Sequence, residues 1–148
     1  MNKIHKILVI LNGAFAAWAM FTFLVLLKLD PLSWIMLNTC SPTQFAVILA
    51  LASERRVMMN ATVPWLLFYG FGGLLIFGWS GYMMVAQISH LTMTATVIHV
   101  LMSTAKERRF KALVAGLVMG ALALVPFRLY QDQYLMTHPE LLHLLGME

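Results

Sequence analysis

The sequence predicts an all-α fold, an integral membrane bundle of five transmembrane helices followed by a short C-terminal amphipathic helix. Its 148 residues are 61% hydrophobic and only 11% charged, and the mean hydropathy is +0.81. A soluble domain carries about 25% charged residues, and a domain this small buries too little surface to hide so many apolar side chains. The apolar residues form runs of about 20 residues, the length that crosses a bilayer. These features predict one polytopic membrane domain over residues 1–148.

The first apolar run predicts a membrane span over residues 7–27, bounded by Lys6 and Lys28. The basic residues before this run, together with the small residues Ala14 and Ala16 inside it, are also typical of a cleavable signal peptide. Hydrophobicity continues beyond the small residues to residue 27, however, and this favours a retained signal-anchor helix.

The second apolar segment, residues 31–52, is long enough to span the membrane but has a polar centre at residues 38–44. Asp30 and the proline after it are a signal for the start of a helix. A second start signal lies inside the polar centre, where Ser41 is the predicted N-cap and Gln44 occupies the capping-box position.

These two start signals predict a broken element, with a short helix over residues 31–38 and a second helix from residue 42 towards Arg56. A broken membrane helix needs protein or water around its freed backbone groups. The alternative is a re-entrant or interfacial segment with Trp34 at headgroup level, which leaves four spans.

Residues 57–103 contain no Asp, Glu, Lys or Arg, and the stretch is too long for a single crossing. Residues 78–81 read Gly-Trp-Ser-Gly, where glycines permit a tight turn and tryptophan suits a membrane interface. Placing a turn there predicts a third span over residues 61–77 and a fourth over residues 82–102.

The last long apolar run predicts a fifth span over residues 112–130. In the tail, Thr137 and Glu140 have the spacing of a capping box, with a proline in the first turn. This pattern predicts a short amphipathic helix over residues 138–146 that lies on the membrane surface.

The basic residues predict the orientation of the chain in a cell's inner (plasma) membrane, with the N-terminus in the cytoplasm and the C-terminus outside. Five crossings place eight of the ten Lys and Arg residues on the cytoplasmic side, as the positive-inside rule requires. Four crossings with the N-terminus outside place seven there, so this alternative stays open. The predicted membrane anchors are Arg55, Arg56, Arg108 and Arg109.

Composition and charge pattern also exclude several classes of function. The net charge of +4 comes from residues at span ends, which indicates topology rather than nucleic-acid binding. Cys40 is the only cysteine, so neither an internal disulfide nor a thiolate metal cluster is possible. No predicted span contains an acidic residue, which argues against an ion-coupled carrier. The sequence predicts no cofactor and no bound metal.

The fourth span carries the polar residues that are the best candidates for chemistry. On a helical wheel, Gln87, His90 and Thr94 share one side. Polar residues of the opposite side are Ser89, Thr92, Thr96, His99 and Ser103. The two imidazoles therefore point to opposite faces and cannot both ligate one metal ion or haem.

Polar residues on two faces favour a helix that is packed between other helices and hydrogen-bonded to them. The alternative is a polar pathway or small-ligand site around this span, in which His99 titrates near neutral pH. The start of the second helix of the broken segment, at Ser41 and Gln44, is a further candidate for such a site because a helix N-terminus attracts anions.

Ala112, Gly116 and Gly120 form a stripe of small residues at a spacing of four in the fifth span. Small residues let helix backbones approach closely, so the stripe predicts a helix-packing face. The spacing fits packing within one chain as well as packing between two chains.

Two functional interpretations follow from the sequence. The first is a non-enzymatic protein that acts through protein–protein contacts in the bilayer, as an accessory subunit or an immunity- or exclusion-type factor. Its partners would be lipid and another membrane protein, or a second copy of itself. The alternative is a membrane enzyme subunit that binds a small ligand, lipid or cofactor through the polar faces of the fourth span.

Overall fold

The structure, a computed structural model, describes residues 3–79, 81 and 83–144. Within these residues the chain forms helices and no strand, so the predicted all-α fold is confirmed. The helices are α1 Lys3–Leu26, α2 Pro31–Leu37, α3 Cys40–Ser53, α4 Arg56–Ile76, α5 Met83–Lys106, α6 Phe110–Thr137 and α7 Pro139–His143.

Four helices, α1, α4, α5 and α6, are long and apolar enough to cross a membrane. The second apolar segment consists of α2 and α3, which meet at 89° and together form a fifth candidate span. The helix start at Asp30 forms as the sequence predicts, because its carboxylate accepts the backbone N–H groups of Leu32 (2.9 Å) and Ser33 (3.1 Å). The Ser33 hydroxyl also donates to this carboxylate, and this bond, followed by the backbone hydrogen bonds, lowers the pKa of the Asp30 carboxyl.

The start of α3 differs from the predicted start. The helix begins at Cys40, and the side-chain oxygen of Asn38 accepts both the backbone N–H of Ser41 (3.1 Å) and its hydroxyl (2.5 Å). Asn38 therefore provides the cap that the sequence assigned to Ser41. Gln44 does not form the predicted capping box. Its side-chain amide instead donates to the hydroxyl of Ser89 on α5 (2.9 Å).

The predicted capping box at the start of the last helix does not form. The Thr137 hydroxyl donates to the carbonyl of Tyr134 (2.8 Å), inside its own helix, so it is not directed at α7. The helix begins at Pro139 and buries Leu141. The end of the predicted helix, residues 145 and 146, lies outside the described residues.

Contacts between the connecting segments fix the direction in which each helix runs. An ion pair between Arg56 and Glu107 joins the α3–α4 link to the α5–α6 link. The rings of His5 and His99, 4.9 Å apart, bring the start of α1 towards the same end of the bundle. Helices α1, α4 and α6 therefore run away from this basic end, while α3 and α5 run back to it.

The short helix α2 lies at the opposite end of the bundle. The Ser33 hydroxyl is 3.0 Å from the hydroxyl of Tyr134, near the end of α6. Within the described residues, α1, α3, α4, α5 and α6 thus all run along the bundle, and α3 is the shortest of these helices.

The core forms where α1, α3, α4 and α5 meet, around Val47, Met59, Val63, Met93 and Val97. Helix α5 is the most enclosed candidate span, with 44% of its most apolar stretch buried, whereas α6 has 11%. Helix α6 therefore lies at the edge of the bundle and leaves most of its apolar surface facing outwards.

Candidate functional site

The polar residues of α5 join it to each of the three helices around it. Thr96 accepts a hydrogen bond from the side chain of Asn12 on α1 (3.1 Å). Ser89 accepts one from Gln44 on α3, and Thr104 donates to Asn60 on α4 (3.3 Å). These residues are buried. Polar groups on the two faces of α5 thus hold the bundle together rather than lining an open channel.

One group of polar residues on α5 includes a histidine that contacts the cysteine of α3. The Nδ1 atom of His90 lies 3.1 Å from Oε1 of Gln87, and its Nε2 atom lies 3.4 Å from the sulfur of Cys40. We call Cys40, Gln87 and His90 the thiol–imidazole cluster. Helix α5 supplies two of its members, three residues apart, and the first residue of α3 supplies the third.

The hydrogen-bond partners of Gln87 determine which nitrogen of His90 carries the proton. Gln87 donates from Nε2 to the backbone carbonyl of Phe77 (2.5 Å), which can only accept, so the side-chain oxygen of Gln87 faces His90. That oxygen also can only accept, so Nδ1 of His90 carries the proton. The Nε2 atom is then an acceptor that faces the Cys40 sulfur, and the thiol also lies within donating distance of the backbone carbonyl of Tyr69 (3.7 Å).

The imidazole of His90 is held between α5 and α4. Its ring stacks on Phe77, with centroids 5.7 Å apart and planes inclined by 15°. On α4, a Cβ atom placed on Gly73 would lie 2.6 Å from Cε1 of His90, so only glycine leaves room for the ring. The ring is therefore fixed both by packing and by hydrogen bonds.

The remaining candidate residues from the sequence lie apart from this cluster. The Thr94 hydroxyl donates to the carbonyl of His90 in its own helix (2.9 Å). His99 contacts His5 nearer the basic end, and Ser41 is bonded to Asn38. Within the described part of the chain, no three His, Cys, Asp or Glu side chains come together as metal ligands.

A groove of about 530 Å³ lies between α2 and α3 on one side and α4 and α6 on the other. We call it the α3–α6 groove. Its small wall residues are Ala46, Ala50, Ala61, Gly120 and Ala123. Trp65 and Phe127 add aromatic rings with centroids 5.1 Å apart. Thr43 also lines the groove; its hydroxyl is buried and has no hydrogen-bond partner among the described residues.

The small-residue stripe of α6 packs against α4 of the same chain. Gly116 and Gly120 are buried, whereas Ala112 is half-buried. A Cβ atom on Gly116 would lie 2.5 Å from Cβ of Asn60 and 2.6 Å from the carbonyl oxygen of Val57. The stripe is thus occupied inside the chain and is not free for a second copy.

The four predicted anchor arginines lie at the basic end of the bundle. Arg56 is half-buried, pairs with Glu107 and donates to the hydroxyl of Ser103 (3.0 Å). Arg109 lies 3.3 Å from the same carboxylate. Arg55 and Arg108 are exposed. Arg56 therefore has a packing role that the sequence alone did not indicate.

Gln131, near the outer end of α6, is a buried polar residue that sequence reasoning missed. Its Nε2 atom donates to the carbonyl of Met36 (2.5 Å) and to the hydroxyl of Thr39 (2.8 Å). Its oxygen accepts from the hydroxyl of Tyr69 (2.6 Å) and from Arg128 (2.9 Å). One side chain thus joins α2, the α2–α3 bend and α4 to α6.

The fold and its apolar surface define the protein as an α-helical bundle with four or five candidate membrane spans. No protein-family model, curated protein or solved structure matches the chain. Within the described residues, the candidate functional features are the thiol–imidazole cluster and the α3–α6 groove.

Proposed function

We propose that this protein is a non-enzymatic membrane component that acts by packing against another membrane protein. The α3–α6 groove is the contact surface, and its occupant is a transmembrane helix of the partner. The single observation that carries this proposal is the groove itself, which is open, apolar and lined by small residues at the edge of the bundle.

The lining of the groove suits a helix. In a bilayer, helices associate through close packing and interhelical hydrogen bonds rather than through the hydrophobic effect, and small residues allow their backbones to approach. Ala46 and Ala50 on α3 face Gly120 and Ala123 on α6 across the groove. The Thr43 hydroxyl lies buried in the wall of the groove without a hydrogen-bond partner among the described residues.

The interior of the bundle supports the same interpretation. The polar residues of α5 are engaged with α1, α3 and α4, as in the bonds from Asn12 to Thr96 and from Gln44 to Ser89. A transport pathway needs polar groups that face a cavity or water. Those of α5 instead face their neighbours, so contacts at the outer surface are the better candidate for function.

The proposal includes an orientation in the cell's inner membrane. Five crossings place the basic end of the bundle, with Lys3, Arg55 and Arg108, in the cytoplasm and the C-terminus outside. Helix α2 then lies near the outer surface, because it is bent by 89° from α3 at the opposite end of the bundle.

A second candidate function is that the groove binds a small apolar ligand or a lipid chain. Its volume of about 530 Å³ favours this alternative, because ligand pockets have volumes of about 300–1,000 Å³ with few polar groups. Both functions use the same surface, so identifying the occupant separates them.

Photocrosslinking in native membranes tests the proposal. A diazirine amino acid at position 123 points from α6 at the groove, whereas one at position 121 lies on exposed surface of the same helix outside it. We expect one protein adduct of discrete mass from position 123 and only lipid adducts from position 121. Ala46→Phe, which fills the groove from α3, is expected to abolish the protein adduct.

Crosslinks to lipid alone from both positions would overturn the proposal and support the second candidate. An adduct with a second copy of the chain would show that the groove is occupied by the same protein and not by another membrane protein. Mass spectrometry of the crosslinked peptides distinguishes these outcomes, because each adduct carries the mass of its occupant.

A further inference from the structure

We propose that Cys40 is a nucleophilic thiol that accepts an acyl group, with His90 as its general base and Gln87 as the residue that positions the base. The proposal is independent of the α3–α6 groove. It rests on the geometry of the thiol–imidazole cluster and on the position of the cluster in the bundle.

The cluster has the three parts that nucleophilic catalysis by a thiol requires: a nucleophile, a base within hydrogen-bond reach and a third group that orients the base. His90 Nε2 lies 3.4 Å from the Cys40 sulfur, which is within reach of a hydrogen bond to sulfur. Gln87 holds the proton of His90 on the far nitrogen, Nδ1 (3.1 Å), so the near nitrogen is ready to accept one.

The surroundings of the cluster also suit a nucleophile. Cys40 is the first residue of the 14-residue helix α3, so the partial positive charge of a helix N-terminus lies beside the sulfur. Cys40 as a whole residue is half-buried, and its sulfur lies against His90 and the carbonyl of Tyr69. His90, by contrast, is buried and fixed between Phe77 and Gly73.

Position along the helices indicates which reactant can reach the thiol. Cys40 lies about 20 Å along α3 from Ser53, and His90 about 10 Å along α5 from Met83, at about 1.5 Å per residue. The two distances add to about 30 Å, the thickness of the hydrocarbon layer. The thiol therefore lies about 10 Å from the outer end of α5, on the side of the bundle where an acyl donor in the outer interface holds its ester or thioester carbonyl.

The reaction balances without any oxidant or reductant. His90 Nε2 takes the proton of the Cys40 thiol as the sulfur attacks the acyl carbonyl carbon and the new carbon–sulfur bond forms. The carbon bond to the donor's sulfur or oxygen then breaks. The proton passes from His90 to that leaving thiol or alcohol, and Cys40 is left as an S-acyl thioester.

The test uses the purified full chain in phospholipid vesicles with two alkyne-tagged acyl donors in separate arms. One donor is palmitoyl-coenzyme A and the other is a palmitoyl phospholipid within the bilayer. We expect hydroxylamine-sensitive label on Cys40 from one of them, located by peptide mass spectrometry, and none on Cys40→Ser. The arm that labels identifies the source of the acyl group.

Variants of α5 test the roles of the base and of its positioning residue. His90→Gln is expected to slow labelling by at least about 100-fold, as for loss of a general base. His99→Gln is the matched control, because this histidine of the same helix contacts His5 and not Cys40. Gln87→Glu keeps an acceptor for Nδ1–H, so its Cys40 is expected to be labelled faster than that of Gln87→Leu.

The pH dependence of the labelling rate of the wild-type protein tests the role of His90 as base without a variant. With His90 as base, the labelling rate rises with pH and then levels off once the imidazole is neutral. A rate that keeps rising about tenfold per pH unit up to pH 9 is that of an unassisted thiol and would overturn the proposal. So would equal rates in wild type and a folded His90→Gln, or no label from either donor.

Discussion

Replacing Gly120 with leucine is expected to cost the protein about 3 kcal/mol or more of its free energy of unfolding. Even a single Cβ atom at this position would collide with the backbone carbonyl of Ala61 and lie 3.0 Å from Cδ of Pro64 on α4. A backbone carbonyl cannot move aside as a flexible side chain can, so α6 has to shift away from α4. Leucine adds three further carbon atoms to the same contact.

Helix propensity works against this effect and is too small to cancel it. Replacing an exposed helical glycine with a better helix former stabilises the helix by about 1 kcal/mol. The matched control is Ala115→Leu, one position before the buried Gly116 on an exposed part of the same helix. It adds the same side chain without a collision.

Equilibrium unfolding in mixed detergent micelles measures both variants. We expect Gly120→Leu to unfold at a lower denaturing-detergent fraction than wild type and Ala115→Leu to match wild type. Equal stability of the two variants would contradict the packing of α6 on α4 through this stripe. In that case the glycines would be available for association between chains.

Gln131→Leu is expected to have the second large effect, a loss of several kcal/mol. The substitution leaves the carbonyl of Met36 and the hydroxyls of Thr39 and Tyr69 without the partner that Gln131 provides. Each buried polar group left unsatisfied costs about 1–3 kcal/mol. The leucine side chain recovers part of this cost through apolar burial, so the net loss is smaller than the sum.

The loss should be concentrated at one end of the molecule, and this distinguishes it from general destabilisation. Gln131 joins α2 and the α2–α3 bend to α6, so hydrogen exchange is expected to accelerate in residues 31–40. Gln133→Leu is the control, because residue 133 is exposed on the same helix. If exchange in residues 31–40 is unchanged in Gln131→Leu, the tether described for this residue does not hold α2.

Much of the fold could be predicted because hydropathy and flanking charge are properties of short stretches of sequence. From residue 83 onwards, the span predicted over residues 82–102 lies within Met83–Lys106, and the span predicted over residues 112–130 lies within Phe110–Thr137. The break inside residues 31–52 is also predictable, because a second helix-start signal in the polar centre at residues 38–44 follows the one at Asp30.

The contacts that depend on distant residues could not be predicted in this way. Cys40 was considered only for disulfide or metal chemistry, because nothing near it in the sequence indicates a partner. Its contact with His90 requires both the 89° bend before α3 and the close approach of α4 to α5 at Gly73. Gln131 was missed for the same reason, because its partners lie on other helices.

Local capping signals proved less reliable than the helices they were expected to start. Ser41 and Thr137 both have the residue type and spacing of an N-cap. At the start of α3, the side chain of Asn38 and not that of Ser41 accepts the backbone hydrogen bond. The Thr137 hydroxyl donates to the carbonyl of Tyr134 in its own helix instead of capping α7. In both places the helix begins within two residues of the predicted start, because a proline near the first turn favours it there.

Native mass spectrometry of the protein extracted from its own membranes tests the central claim, that the α3–α6 groove receives a helix of another membrane protein. The account predicts one hetero-complex of fixed stoichiometry, lost in Ala123→Phe and kept in Ala121→Phe. Both substitutions place the same ring on α6, but only the first lies in the groove. A monomer carrying lipid alone, or a complex that both variants retain, would contradict the claim.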